Sequence, residues 1–125
     1  MTLAMTAAAV VVLGPSGLAT ARRIAAALPG SALHGFAPRV AEAGIAFTDT
    51  AGHLRELFAA GKPIVGICAA GVLIRSLAPL LTDKRTEPPV VAVAEDGSAA
   101  VPLLGGHRGA NDLARRIAET LGGIA

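Results

Sequence analysis

Two glycine-rich turns carry the residue types in this chain that could bind an anion or move a proton. The first turn follows the apolar run of residues 64–67 and contains Gly66, Cys68, Ala70 and Gly71, after which apolar residues recur at helical spacing. Small residues there let a ligand approach the backbone, and the N–H groups that open a helix favour an anion. Arg75, one helical turn after Gly71, could reach the same anion. Alternatively, the small residues only let the helix pack closely on the sheet.

The second turn lies in residues 103–112, which read LLGGHRGAND, and it also follows a predicted strand and precedes a predicted helix. Gly105 and Gly106 supply the turn, and His107 could act there as a general base, a proton donor, a metal ligand or a simple cap. Arg108 could pair with a substrate carboxylate, with Asn111 beside it. If both turns lie at the same edge of the sheet, they form one crevice containing Cys68, Arg75, His107, Arg108 and Asn111.

The single cysteine and the three histidines limit the chemistry further. Cys68 at a helix start would have a lowered pKa and act as a nucleophile, but a small residue beside Ile67 is more often a buried hydrophobe. His34, His53 and His107 lack the short spacing of a zinc site, so no metal bound by protein ligands alone is predicted.

Composition predicts one domain over residues 1–125. With 53% hydrophobic and 2% aromatic residues, the core must consist of Ala, Val, Leu and Ile, which suits a buried, mostly parallel sheet covered by helices. A net charge of +2, scattered arginines and three Phe argue against a nucleic-acid groove. No apolar run approaches a membrane span, and the first basic residue, Arg22, follows the N-terminal apolar stretch. These features predict a soluble, cytoplasmic chain.

Apolar runs and turn residues predict the elements of an α/β fold. Strands are predicted at residues 7–13, 31–36, 44–47 and 64–67, and helices at residues 18–28 and 51–60. The helix after Gly71 should bend or end near Pro79. Asp96-Gly97 predicts a β-hairpin between residues 90–94 and 99–104, and a last helix should close at Gly122. The prediction is a three-layer, open, mostly parallel sheet with a C-terminal β-hairpin and helices on both faces.

The first predicted turn, Gly14-Pro15-Ser16-Gly17, argues against the common nucleotide sites. A dinucleotide loop needs its first two glycines two residues apart, whereas Gly14 and Gly17 are three apart. The turn also lacks the Lys-Ser/Thr pair of a P-loop. No nicotinamide cofactor or nucleoside triphosphate, and no other cofactor, is predicted.

Three segments in order give the chain a family resemblance. They are Ala70-Gly71 with Arg75, the segment APLLTDK at residues 78–84, and the segment PLLGGHRGAN at residues 102–111. With them, residues 61–121 resemble the N-terminal domain of the CbiG family, the cobalt-precorrin-5A hydrolases of cobalamin biosynthesis. The first sixty residues resemble it only loosely.

This resemblance implies hydrolytic opening of the δ-lactone of a cobalt-containing tetrapyrrole, with release of acetaldehyde. The implied substrate carries many carboxylates, which the arginines and helix starts could bind. Cobalt would arrive inside the substrate. His107 is then the candidate acid–base residue, and backbone N–H groups near Gly71 and Gly106 are candidates to stabilise the oxyanion.

A second, non-catalytic function stays open because family enzymes continue into further segments. The same type of domain also occurs joined to precorrin-3B C17-methyltransferases, so the chain would bind a tetrapyrrole as an accessory of such an enzyme. Ala-rich helices that pack closely are compatible with a homodimer.

Overall fold

The computed structural model describes residues 7–125, which form one six-stranded sheet and four helices. The strands are β1 (Ala9–Val12), β2 (Ala32–Phe36), β3 (Ile45–Phe47), β4 (Ile64–Ile67), β5 (Val90–Val93) and β6 (Ala100–Leu104). The helices are α1 (Leu18–Ala27), α2 (Thr50–Ala59), α3 (Ala70–Leu77) and α4 (Ala110–Leu121). Each predicted strand and helix is present, with ends that differ from the prediction by only a few residues.

Strand order in the sheet is β3-β2-β1-β4-β5-β6, which places β1 near the centre. The first five strands run parallel, and the register pairs Val10 with Leu33 on one side and with Val65 on the other. The last strand, β6, runs antiparallel to β5. The prediction of a mostly parallel sheet with a C-terminal hairpin is therefore confirmed, and Pro102 lies in an edge strand, where a missing N–H is tolerated.

Apolar residues on both faces of the central strands form two cores. On one face, Val10 and Val12 of β1 pack with α1 and α4, including Ile24 and Ile117. On the other face, Ala9 and Val11 pack with apolar side chains of α2 and α3, namely Leu54, Leu57, Phe58, Leu73 and Leu77. Because both faces are covered, β1 needs the continuous apolar run predicted for a buried parallel strand.

Individual residues determine where the helices begin and end. The Asp49 carboxylate caps α2 by accepting a hydrogen bond from Gly52 N at 3.1 Å. At Pro79, α3 has already given way to a 3-10 turn, Ala78–Leu80, as a proline without an N–H requires. Gly122 closes α4 in the left-handed conformation.

None of the helices within residues 7–125 combines the length and the apolar character that crossing a membrane requires.

Candidate functional site

The two glycine-rich turns lie at opposite edges of the sheet. Cys68 and Gly71 follow the carboxyl end of the parallel strand β4. The turn with His107 follows β6, whose last residue, Leu104, pairs with Val90 at the start of β5. Because β6 is antiparallel, its end lies at the amino edge of the parallel strands. The predicted single crevice containing Cys68, Arg75, His107, Arg108 and Asn111 does not form within this chain, and we correct that prediction.

A cavity of about 330 Å³ opens at the amino edge, next to the turn that carries His107. Its charged lining consists of Lys62 and Arg108, and it contains no Asp or Glu. Other lining residues are small or cyclic: Ala7, Ala60, Gly61, Pro63, Thr86, Pro88 and Pro89. The exposed His107 precedes Arg108 in the 3-10 turn Gly106–Arg108. The sequence prediction included Arg108 and His107 but not Lys62, which lies in the turn between α2 and β4.

Two left-handed glycines shape this turn. Gly105 has φ +77° and Gly109 has φ +103°, on either side of the 3-10 turn. Gly105 is buried under the segment before β5, and its carbonyl accepts hydrogen bonds from Arg108 N at 2.9 Å and Ala110 N at 3.2 Å. The turn is thereby held against Pro88, while Gly106 and Asn111 stay exposed. Gly105 thus positions the turn, and Gly106 borders solvent.

A second crevice, of about 320 Å³, lies at the carboxyl edge between the ends of β1 and β4. Its polar side chains are Arg39, Cys68 and Glu95, and its remaining lining is Leu13, Gly14, Ile67, Ala69 and Ala94. Arg39 follows β2 and Glu95 follows β5, so both come from carboxyl ends of parallel strands, as Cys68 does. Neither Arg39 nor Glu95 is among the site residues that the sequence predicts, because recognising them requires the strand order, which the sequence does not reveal.

Cys68 is not activated in this crevice. Burial, followed by the negative charge of Glu95, raises the pKa of its thiol from 9.0 to about 11. The expectation of a lowered thiol pKa at this helix start is therefore wrong, because desolvation disfavours the thiolate. At neutral pH, Cys68 presents a neutral thiol to the crevice.

We expect the alkylation rate of Cys68 by iodoacetamide to keep rising with pH to a midpoint near 11. At pH 8 the rate should be about tenfold below that of an ordinary thiol, because the smaller thiolate fraction outweighs its greater nucleophilicity. Mass spectrometry of the chain, which has one cysteine, measures this directly. Glu95→Gln should shift the midpoint downward, and a wild-type midpoint near 9 would contradict the burial argument.

The other predicted residues at this edge differ in their surroundings. Gly66 is buried within β4, where an added Cβ would lie 2.9 Å from Leu73 Cδ1, so its small size serves helix packing. Gly71 and Arg75 are exposed on α3 and do not line the crevice. Ala70, the first residue of α3, is partly buried against the second core.

Two histidines that the sequence does not link by spacing meet on the α2 face of the sheet. His34 Nδ1 and His53 Nε2 are 2.8 Å apart, so one ring nitrogen donates a hydrogen bond to the other. His34 is buried, and His53 stacks on Phe47 with ring centroids 4.4 Å apart. Among residues 7–125, no third His, Cys, Asp or Glu completes a metal site with this pair.

Comparisons with known proteins agree on one family. A family model described as "Cobalamin synthesis G N-terminal" matches residues 52–125. A cobalt-precorrin-5A hydrolase of Salmonella typhimurium is 38% identical over 116 residues, which cover 88% of this chain and 32% of that protein. Another, from Priestia megaterium, is 39% identical over 69 residues, covering 54% and 18% respectively. This chain therefore spans about a third or less of the curated relatives it matches.

A solved structure shares the fold. The crystal structure of a cobalamin biosynthesis protein G homolog from Sulfolobus solfataricus superposes with a TM-score of 0.69. The superposition covers 98% of this chain and 37% of that one at 17% identity, so it supports the fold alone.

Proposed function

Because the chain belongs to the cobalamin synthesis G N-terminal family, we propose that it binds a cobalt-precorrin and takes part in the hydrolysis of the cobalt-precorrin-5A lactone. Both curated relatives are named cobalt-precorrin-5A hydrolases. The chain covers about a third of the Salmonella typhimurium relative, so the proposal concerns the contribution of this part to the reaction.

The observation that carries the proposal is the amino-edge cavity with two cations and no carboxylate. Lys62 and Arg108 both line it, and all lining residues except Ala7 fall within the segment that the family model matches. A substrate with several carboxylate arms requires unpaired cations at the surface that receives it. Arg108 offers a planar guanidinium for a bidentate contact, and Lys62 offers a compact point charge.

The size of the cavity sets how much of the substrate this chain can hold. A volume of about 330 Å³ is at the low end of pockets that enclose a drug-sized ligand. A tetrapyrrole with its side arms is larger, so the cavity takes one or two arms and the adjoining ring edge. The rest of the macrocycle stays outside the cavity, where solvent or another protein surface meets it.

His107 is the proposed acid–base residue for lactone opening. Its ring accepts a proton from a water molecule whose oxygen attacks the lactone carbonyl carbon, and the carbonyl π electrons move onto oxygen. Arg108 and backbone N–H groups near Gly106 stabilise that oxyanion. When the ring ester bond breaks, the leaving oxygen takes the proton from His107. Acetaldehyde forms in a later step, in which the C–C bond between the hydroxyl-bearing carbon and the macrocycle breaks. The hydroxyl becomes the aldehyde carbonyl and returns its proton to His107, while the macrocycle carbon keeps the electron pair and takes up a proton. The N–H groups near Gly71 lie at the other edge and take no part in this step.

The alternative is a non-catalytic tetrapyrrole-binding domain, an accessory of a precorrin-3B C17-methyltransferase. The exposure of His107 favours it, because general acid–base chemistry gains most in a site that excludes water. In this alternative, the two cations bind the substrate arms and present the macrocycle to the partner enzyme. Assembly as a homodimer and a cytoplasmic location are compatible with both functions.

An absorbance titration with the cobalt-precorrin-5A lactone, with acetaldehyde assayed in the same samples, separates these functions. The chain has no Trp or Tyr, so the macrocycle bands are almost free of protein signal. A saturable spectral shift with acetaldehyde release supports the hydrolase. A shift without acetaldehyde supports the binding domain, and the absence of any shift contradicts both.

Two variants test the roles of the residues. We expect His107→Gln to lower acetaldehyde release at least about 100-fold while leaving the spectral titration unchanged, because an exposed histidine contributes little to the fold.

Arg108→Gln should weaken binding of the tetrapyrrole about threefold to tenfold, as expected for a partly exposed ion pair. Arg22→Gln is the control that removes the same charge elsewhere, since Arg22 on α1 is exposed, pairs with Glu42 at 3.6 Å and does not line the cavity. Equal effects of Arg22→Gln and Arg108→Gln would contradict the cavity as the binding site.

A further inference from the structure

The carboxyl-edge crevice has no role in the proposed function, although it occupies the point where the sheet reverses its winding. From β1 the chain builds outward to β2 and β3 on one side, and from β4 outward to β5 on the other. In open α/β sheets the connections then leave a gap between the two central strands at their carboxyl ends, where ligands bind. Gly14 follows β1 and Cys68 follows β4, and both line the crevice.

The Arg39 guanidinium packs against Gly14 in this crevice. An added Cβ at Gly14 would lie 3.3 Å from both Cζ and Nη1 of Arg39 and 3.4 Å from Nη2, so the guanidinium lies flat over this glycine. Gly14 has φ −151° and ψ 164°, a conformation open to any residue. The space that the guanidinium occupies is therefore the reason that a glycine is favoured here.

Glu95 enters the crevice from the β5 side, whereas Arg39 enters it from the β2 side. Its Oε2 accepts a hydrogen bond from Ser16 Oγ at 2.7 Å, and its backbone carbonyl accepts one from Thr20 Oγ1 at 2.6 Å. These two bonds fasten the turn of the β5–β6 hairpin to the start of α1. The second carboxylate oxygen stays available as an acceptor.

The two charges do not neutralise each other. Among residues 7–125, no carboxylate lies within ion-pair distance of Arg39, and Glu95 is paired with no cation. The apolar side chains of Leu13, Ile67 and Ala94 line the same crevice. A cation and an acceptor in one crevice with apolar lining complement a short ligand that is anionic at one end and a donor at the other.

We propose that this crevice binds a small organic acid, with its carboxylate on the Arg39 guanidinium and a hydroxyl or amine at its other end donating to Glu95. The volume of about 320 Å³ accommodates such a molecule whole. The same chemistry is available from a free acid or from one carboxylate arm and the neighbouring donor of a tetrapyrrole. Only the second source rests on the proposed function.

Backbone amide NMR of the 125-residue chain tests the site with matched probes. The ligand 4-hydroxybutyrate carries both groups, and pentanoate has a methyl group in place of the hydroxyl. We expect 4-hydroxybutyrate to shift the amides of Gly14 and Ala69 with a millimolar Kd, and pentanoate to bind more weakly. A metal-free tetrapyrrole polycarboxylate tests the second source, because an arm bound here shifts the same two amides rather than those of Gly61 and Gly106.

Variants identify the contacts. Arg39→Gln should weaken 4-hydroxybutyrate binding about tenfold, as the loss of a charge-assisted contact does. Gly14→Ala should also weaken it, because the methyl group displaces Arg39 without removing its charge. Glu95→Gln should reduce the preference for 4-hydroxybutyrate over pentanoate, and Arg22→Gln should change nothing.

The absence of shifts at Gly14 and Ala69 with both the free acid and the tetrapyrrole would overturn the proposal, as would binding that Arg39→Gln leaves unchanged. Shifts with either probe that respond to Arg39 support it and identify the source. The proposed function is judged separately, by acetaldehyde release and by the spectral titration, so its failure would leave the result for the free acid intact.

Discussion

Replacement of Gly105 by alanine is expected to cost at least about 3 kcal/mol of unfolding free energy, a large part of the total stability of a small domain. Gly105 has φ +77°, which costs an L-residue about 1 kcal/mol or more. Its added Cβ would also lie 2.3 Å from the Pro88 carbonyl oxygen and 2.6 Å from Pro89 Cα. These are backbone atoms, so no rotamer change can relieve the contact. Urea denaturation followed by circular dichroism measures the loss.

The adjacent glycine supplies the control. Gly106 has no heavy atom within 4 Å of an added Cβ and does not have a positive φ. Gly106→Ala should therefore change the unfolding free energy by no more than about 0.5 kcal/mol. If both variants were equally stable, the close approach of the turn to Pro88 would be wrong.

The free energy of unfolding should also decrease steeply as the pH is lowered from about 6.5 to 4, because of His34. Burial, followed by the charges of His53 and Lys62, lowers the pKa of His34 from 6.5 to about 4. The unfolded chain takes up a proton near pH 6.5, whereas the folded chain resists it down to pH 4. The stability that neutral His34 contributes is therefore complete above pH 6.5 and is lost as the pH falls through this window. The total loss of unfolding free energy is about 3 kcal/mol.

Denaturation at pH 7.5 and pH 4.5 measures this effect, and variants separate it from the titration of carboxylates. In His34→Gln, the difference between the two pH values should shrink by most of that amount. His107→Gln keeps the same number of histidines as His34→Gln but removes an exposed one, and it should retain the wild-type pH dependence. Identical pH dependence in the wild type and His34→Gln would refute the assignment to His34.

Local sequence signals predicted the elements well because they act over a few residues. Asp96-Gly97 forms the hairpin turn, where Gly97 has φ +79° and Asp96 Oδ1 accepts a hydrogen bond from Ser98 N at 2.9 Å. The cap at Asp49 and the predicted stop at Gly122 are present for similarly local reasons. The continuous apolar runs predicted buried parallel strands because both faces of such a sheet are covered.

The placement of the candidate residues depended on long-range features that spacing does not encode. A hairpin reverses the chain, so the His107 turn had to leave β6 at the edge opposite to Cys68 once β6 paired with β5. Arg39 and Glu95 come from loops that are far apart in the sequence. The contact of the Arg39 guanidinium with Gly14 cannot be predicted from the residues near either position. The contact between His34 and His53 likewise requires knowledge of which face of β2 meets α2.

The central position of β1 also means that the segment matched by the family model is not a folding unit by itself. Residues 52–125 contain β4, β5 and β6 but lack β1, whose register with β4 joins residues such as Val10 and Val65. A fragment that begins at residue 52 would expose the unpaired backbone edge of β4 and the apolar side chains that α1 covers. Such an edge recruits other chains, so the fragment should aggregate rather than fold. Any excision of this unit for study must therefore retain the first strand.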